Sequence, residues 1–79
     1  MRKVFCLAVH TKFVPASHAK GPRIKASYAG GSRTRGWDYS LDVCENHAGA
    51  ARALQEDLNW SGVYVGGTLP DGSMCWVRE

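Results

Sequence analysis

The first 37 residues contain no aspartate or glutamate, although they hold eight of the ten lysines and arginines. The rest of the chain carries all seven acidic residues and two basic ones, so the net charge of +3 conceals a strong division of charge along the sequence. If the two halves fold onto different faces, the basic face attracts phosphates or acidic protein surfaces. If they interleave, the charges neutralise one another, and the sequence leaves both arrangements open.

Long hydrophobic runs are also missing. No segment approaches the roughly 20 apolar residues that span a bilayer. The apolar stretch after Arg2 and Lys3 ends at His10 without a cleavage signal, so it is better explained as a first β-strand than as a signal peptide. We therefore expect a soluble, cytoplasmic protein with no membrane partner.

Catalytic signatures are absent from the sequence, which has no nucleophile elbow, phosphate-cradling glycine loop or metal-hydrolase motif. Two Cys/His pairs, Cys6 with His10 and Cys44 with His47, have spacings unlike those of zinc sites. We therefore predict a protein that is not an enzyme, with no catalytic residues, no metal site and no cofactor. Because a zinc site is not expected, we predict that His47 has a role in the core or in capping.

Paired cysteines are lacking as well, because three cysteines at wide spacing do not make a disulfide framework. We expect reduced, buried thiols at Cys6, Cys44 and Cys75. One exposed cysteine would link two copies in an oxidised preparation, and an unpaired strand edge offers a second route to a homodimer. The sequence leaves monomer and homodimer open.

Residue patterns predict five strands and one helix. Ile24, Ala26 and Tyr28 alternate with basic and polar residues, which is typical of a half-buried strand. Asp42 as N-cap and Glu45 three residues later form a capping box at the start of the helix. The predicted strands are 3–9, 23–29, 33–40, 63–66 and 73–78, and the predicted helix is 43–58.

Turn signals connect these elements into one α+β domain over residues 1–79. A long loop is expected at 10–22, a hairpin turn at 30–32 and a second turn at 69–72, while Asn59 suits the left-handed residue that ends a helix. One amphipathic helix then covers one face of an antiparallel sheet of four to five strands, in the order β-β-β-α-β-β. The other face is left for solvent or a partner.

Basic side chains of the loop and the first hairpin are the candidate partner-binding residues, because four of them fall on neighbouring strands. Their alternative role is to protect exposed strands from aggregation. An aromatic anchor joins the set, because Val63 and Val65 are expected on the buried face of a strand whose other face carries Tyr64. The candidates are Lys12, Lys20, Arg23, Lys25, Arg33, Arg35 and Tyr64.

Short motifs between residues 11 and 60 resemble a group of small proteins from phages and bacterial mobile elements. The resemblance implies the cytoplasm of a bacterial host as the setting, and it implies no particular activity. The motifs are Thr-Lys-Phe-Val-Pro at 11–15, Gly-Pro-Arg-Ile-Lys-Ala at 21–26, Trp-Asp-Tyr-Ser-Leu-Asp at 37–42, Glu-Asn-His at 45–47 and Ala-Ala at 50–51.

In size and element order the chain is also similar to some phage anti-CRISPR proteins. That similarity implies a non-enzymatic inhibitor that binds a host protein complex, a CRISPR effector. The alternative is a small DNA- or RNA-binding domain that uses its basic hairpin. Arg33, Arg35 and Trp37 before a helix resemble the AP2/integrase type of domain, whose three-stranded sheet lies in the major groove, although the C-terminal hairpin and the acidic helix depart from it.

Overall fold

A computed structural model describes residues 8–60 and 62–78. These residues confirm the predicted α+β class and the chain order β-β-β-α-β-β. The helix they contain falls short of the length and apolar character needed to cross a membrane. The elements are β1 (Ala8–Val14), β2 (Arg23–Tyr28), β3 (Gly31–Gly36), α1 (Val43–Asp57), β4 (Tyr64–Thr68) and β5 (Met74–Arg78).

The five strands form one sheet in the order β3-β2-β1-β5-β4, and every neighbouring pair is antiparallel. β1 is central, whereas β3 and β4 are the two edges. α1 packs over β1, β2 and β3. We call the side that it covers the helix face, with Thr11 and Ala26 at its centre, and the opposite side the open face, with Lys12 and Lys25 at its centre.

The first strand extends further along the chain than its sequence suggests. Residues 3–7 of the predicted strand lie outside the described residues, and residues 10–14, expected in a loop, belong to β1. The loop prediction was wrong because Thr11 and Lys12 interrupt the apolar run. Thr11 nevertheless buries its hydroxyl in a hydrogen-bond network, and Lys12 faces solvent on the other side.

That network joins β1, α1 and β5 inside the domain. Thr11 and His47 are 0% and 1% exposed, and 2.7 Å separates Thr11 Oγ1 from His47 Nδ1. Trp76 Nε1 donates to the same hydroxyl oxygen at 3.0 Å. Burial lowers the pKa of His47 below 6.5, so its imidazole is neutral at neutral pH. The expected core role of His47 is confirmed.

α1 begins at the predicted residue and ends one residue earlier than predicted. The Asp42 carboxylate accepts the N–H of Glu45 at 2.7 Å, and the Glu45 carboxylate accepts the N–H of Asp42 at 3.2 Å. This capping box contributes about 1 kcal/mol. The helix ends at Asp57, and Asn59 adopts the left-handed conformation with φ 56°.

Small side chains on α1 bring the helix close to the sheet. Ala50 and Ala51 are at most 2% exposed and, with Leu54, pack on Val9 and the buried residues of β2. Large, partly buried aromatic side chains pack against the edges of this core. They are Tyr28, Trp37, Trp60 and Trp76.

β3 ends at Gly36 and does not reach the predicted residue 40. Asp38 exchanges two hydrogen bonds with the side chain of Asn46, which is 4% exposed: its N–H donates to Oδ1 and its carbonyl accepts from Nδ2, both at 2.9 Å. The buried amide thereby draws the chain away from the sheet and into the start of α1.

The C-terminal hairpin has the predicted turn at 69–72, where Gly72 has φ 89° and donates its N–H to the Leu69 carbonyl at 2.9 Å. On the helix face, Gly66 pairs with Trp76. A Cβ at Gly66 would lie 2.4 Å from the indole ring. Glycine at this position therefore lets the Trp76 ring cross β4.

Candidate functional site

The register of the first hairpin decides where its basic residues point. A two-residue turn at 29–30 sets Ala26 opposite Arg33 and Ile24 opposite Arg35. Residues directly opposite each other in an antiparallel pair share a face of the sheet. Arg33 and Arg35 therefore lie on the helix face, whereas the basic residues of β2 lie on the open face.

With the predicted turn at 30–32, all four basic residues of this hairpin would lie on one face of the sheet. With that turn Arg35 would pair with Ser27, which shares a face with Lys25. A register change of one residue moves every side chain of a strand to the other face. The shorter turn that the structure has leaves two of the hairpin's four cations on each face.

On the helix face, both β3 arginines contact α1. The Arg33 guanidinium forms an ion pair with Asp57, and Arg35 Nη1 donates to the Gly49 carbonyl at 3.1 Å. Both contacts are exposed to solvent, so the ion pair contributes less than about 1 kcal/mol. The two side chains fasten the edge strand to the helix, which gives them a structural role.

On the open face, Lys12, Lys25 and Arg23 form what we call the cationic cluster. Lys12 and Lys25 are directly opposite each other in the β1–β2 pair, and Arg23 lies two residues along on the same face. Like charges at opposite positions destabilise a sheet by up to about 1 kcal/mol. Among the described residues no carboxylate lies within 4.0 Å of these three cationic groups.

Arg23 also carries an unsatisfied hydrogen-bond donor. Its Nε is buried and has no hydrogen-bond partner within the described ranges, although the residue as a whole is half-buried. Leaving a buried donor without an acceptor costs about 1–3 kcal/mol.

Small polar side chains surround the cationic cluster. Ser27 lies between His10 and Ser32 in the three paired strands, and Thr34 is opposite Lys25. The open-face residues described here include no phenylalanine, tyrosine or tryptophan, and their one aromatic ring is the half-buried imidazole of His10. This face therefore offers charge and hydroxyl groups but no platform on which nucleobases stack.

Lys20 has no contact with the cationic cluster among the described residues. It lies in the exposed segment 15–22 between β1 and β2, where its backbone forms hydrogen bonds of 2.8 and 3.3 Å with Ser17. Of the predicted basic residues, the structure therefore brings together Lys12, Arg23 and Lys25. It places Arg33, Arg35 and Lys20 elsewhere.

A shallow groove of about 320 Å³ borders the cluster, lined by Lys12, Phe13, Asp71, Gly72 and Ser73. The Asp71 carboxylate accepts hydrogen bonds from the hydroxyl and the N–H of Ser73, at 2.5 and 3.0 Å. These bonds lower the pKa of Asp71 below 3.8. Asp71 is thus ionised at neutral pH and limits the positive field on this side of Lys12.

Tyr64 is not the exposed anchor that the sequence suggests. It is half-buried on the helix face, where its ring stacks on Trp60 with centroids 6.4 Å apart. Val63 and Val65 are 66% and 50% exposed. The expectation about the two valines was wrong because Val65 lies on the open face, which α1 does not cover.

Apolar side chains are instead exposed around the start of α1, and we call them the apolar rim. Tyr39 is 80% exposed, Val43 58%, Phe13 41% and Leu41 37%. The buried amide of Asn46 holds the segment between β3 and the helix in place. Sequence reasoning missed this surface because three of its residues fall in or beside a cap, where no periodicity marks them.

The Cys/His pairs do not converge in the part of the chain that the structure describes. His10 lies on the open face, whereas His47 is a buried residue of α1 on the helix face, so the sheet separates them. Cys44 is exposed and Cys75 is half-buried, both without a disulfide, so the expectation of buried thiols is wrong for these two. Cys6 lies outside the described residues, which contain no group of three potential metal ligands.

Comparison of the chain with family models, curated proteins and solved structures gives no significant match to any of them.

Proposed function

We propose that this protein binds nucleic acid through phosphate contacts made by the cationic cluster. The observation that supports this proposal is the direct opposition of Lys12 and Lys25 beside Arg23, with no carboxylate of the described residues in ion-pair range. Sheet stability alone disfavours that arrangement. A phosphate bound between the cations turns their repulsion into attraction and releases counterions.

The expected mode of binding is contact with the sugar–phosphate backbone. Without a phenylalanine, tyrosine or tryptophan on the described open face, bases have little aromatic surface to stack on. Ser27 and Thr34 add hydroxyl groups that donate to phosphate oxygens and leave room for a close approach. Few contacts of this kind give weak, sequence-independent binding, with Kd about 10⁻⁴ to 10⁻⁶ M.

Fluorescence anisotropy with a labelled DNA duplex and a labelled RNA hairpin tests the proposal. Lys25→Glu should weaken binding about tenfold or more, because one charge-assisted contact is worth roughly 1.5–3 kcal/mol. Arg52→Glu is the matched control, since it makes the same change of charge at an exposed position of α1. Equal weakening by both variants, or no binding of either probe by the wild type, would contradict the proposal.

A second candidate function is the inhibition of a host CRISPR effector complex, as the similarity to anti-CRISPR proteins implies. The apolar rim supports this candidate, because aromatic and aliphatic side chains form the buried anchors of protein interfaces. Tyr39 is the strongest candidate anchor, with 80% of its surface exposed.

A pull-down against type I CRISPR effector complexes separates the two candidates. If the protein is an inhibitor of this kind, the wild type and the Lys25→Glu variant should both bind an effector complex, whereas the Tyr39→Ala variant should not. If the protein binds nucleic acid, Lys25→Glu should weaken binding in the anisotropy assay and Tyr39→Ala should leave it unchanged. Failure to retain any effector complex, with unaltered interference in cells, would remove the inhibitor candidate.

A further inference from the structure

The two edges of the sheet differ in their chemistry. β3 carries Arg33 and Arg35, and charged side chains protect an edge strand from pairing with another chain. β4 has the sequence Tyr-Val-Gly-Gly-Thr, without charge or proline. No strand within residues 8–60 and 62–78 pairs with its outer side. The outward N–H and C=O groups of β4 are therefore open to another strand.

The side chains of β4 suit a close approach by a second strand. Val65 is 50% exposed on the open face, and Val63 just before the strand is 66% exposed. A Cβ at Gly67 would meet nothing within 4 Å, so no contact described within the chain requires glycine there, in contrast to Gly66. Glycine in a strand often marks the place where another backbone comes near.

From these features we infer that β4 pairs with β4 of a second copy of this chain, in antiparallel orientation. Such pairing is isologous, because the same strand serves on both sides of a two-fold axis. An uncharged strand meets no like charge when it pairs with itself. The cationic cluster lies on β1 and β2, away from this junction, so its repulsion across the dimer is small.

In the dimer, the five-stranded sheets of the two copies join at β4 to form one continuous sheet. Its two-fold axis is perpendicular to the sheet, so both open faces lie on the same side. About six strand spacings of roughly 4.8 Å separate the two cationic clusters, which places them about 30 Å apart. If the proposed phosphate binding holds, one polyanion contacts both clusters with a gain from avidity. The pairing itself does not depend on that proposal.

Size-exclusion chromatography with light scattering tests the pairing, over a dilution series and with reductant present. The wild type should reach the mass of two 8.6 kDa chains. Val65→Lys should have the mass of one chain, because a lysine on β4 blocks the edge as the arginines do on β3. Ser32→Lys, the same new charge at an exposed position of β3 opposite Ser27, should remain a dimer.

Three outcomes would overturn the inference: a wild type of single-chain mass at every concentration, a dimeric Val65→Lys, or a monomeric Ser32→Lys. Hydrogen exchange of the wild type gives a check that needs no variant. Amides of β4 should lose protection on dilution while those of β1 keep theirs. Protection of β4 that is independent of concentration would also count against a dimer.

Discussion

Replacing Thr11 with valine removes the hydroxyl at the centre of the buried network with little change in side-chain size. His47 Nδ1, on a residue 1% exposed, then loses its partner, and Trp76 Nε1 loses its acceptor. An unsatisfied buried group costs about 1–3 kcal/mol, and water replaces part of the loss at the half-buried indole. We expect a total destabilisation of about 2–3 kcal/mol, which lowers Tm by roughly 10–20 °C in a domain of this size.

Urea unfolding followed by circular dichroism measures this effect from the midpoint and the slope. Thr34→Val is the matched control, because Thr34 is exposed on β3 and the same change there should stay within about 0.5 kcal/mol. If Thr11→Val unfolds at the same urea concentration as Thr34→Val, the hydroxyl does not satisfy His47 and Trp76. The reasoning about the network would then be refuted.

Two further predictions concern the same core. Gly66→Ala should lower the free energy of unfolding by about 1–3 kcal/mol, because the new Cβ displaces the Trp76 ring. Gly36→Ala is the control, because a Cβ there meets nothing within 4 Å and stability in thermal melts should hardly change. Equal losses of stability in the two variants would contradict this prediction. Stability should fall as the pH drops below about 6.5, because burial lowers the pKa of His47 in the folded state and the unfolded state then binds its proton first. His47→Gln should flatten this dependence between about pH 7 and pH 5, and an unchanged slope would assign it to other groups.

Local signals in the sequence are sufficient for much of the fold. Alternation identifies β2, and the Asp42–Glu45 capping box fixes the start of α1, because both patterns depend on near neighbours along the chain. The bounds of β1 were predicted wrongly because Thr11 is polar and its burial depends on hydrogen-bond partners on α1 and β5. Burial of a hydroxyl depends on tertiary contacts, which no local pattern records.

The candidate site was harder to predict, because the strand register decides on which face of the sheet each side chain lies. With the predicted turn, Arg33 and Arg35 would share a face with Lys25, but the turn is one residue shorter than predicted and both lie on the helix face. The Lys12–Lys25 pair was missed for a related reason, since Lys12 was placed in a loop and had no strand partner. Charge segregation along the chain indicated a basic surface but not which cations form it.

The salt dependence of nucleic-acid binding is the most direct test of the cationic cluster. If Lys12, Lys25 and Arg23 each neutralise a phosphate of duplex DNA, log K should fall against log salt with a slope of about −2.7, a loss of roughly 40-fold between 50 and 200 mM. Lys25→Glu should reduce the magnitude of that slope to about 1.8 or less, and Arg52→Glu should leave it unchanged. A slope near zero for the wild type, or one that Lys25→Glu does not alter, would contradict the account.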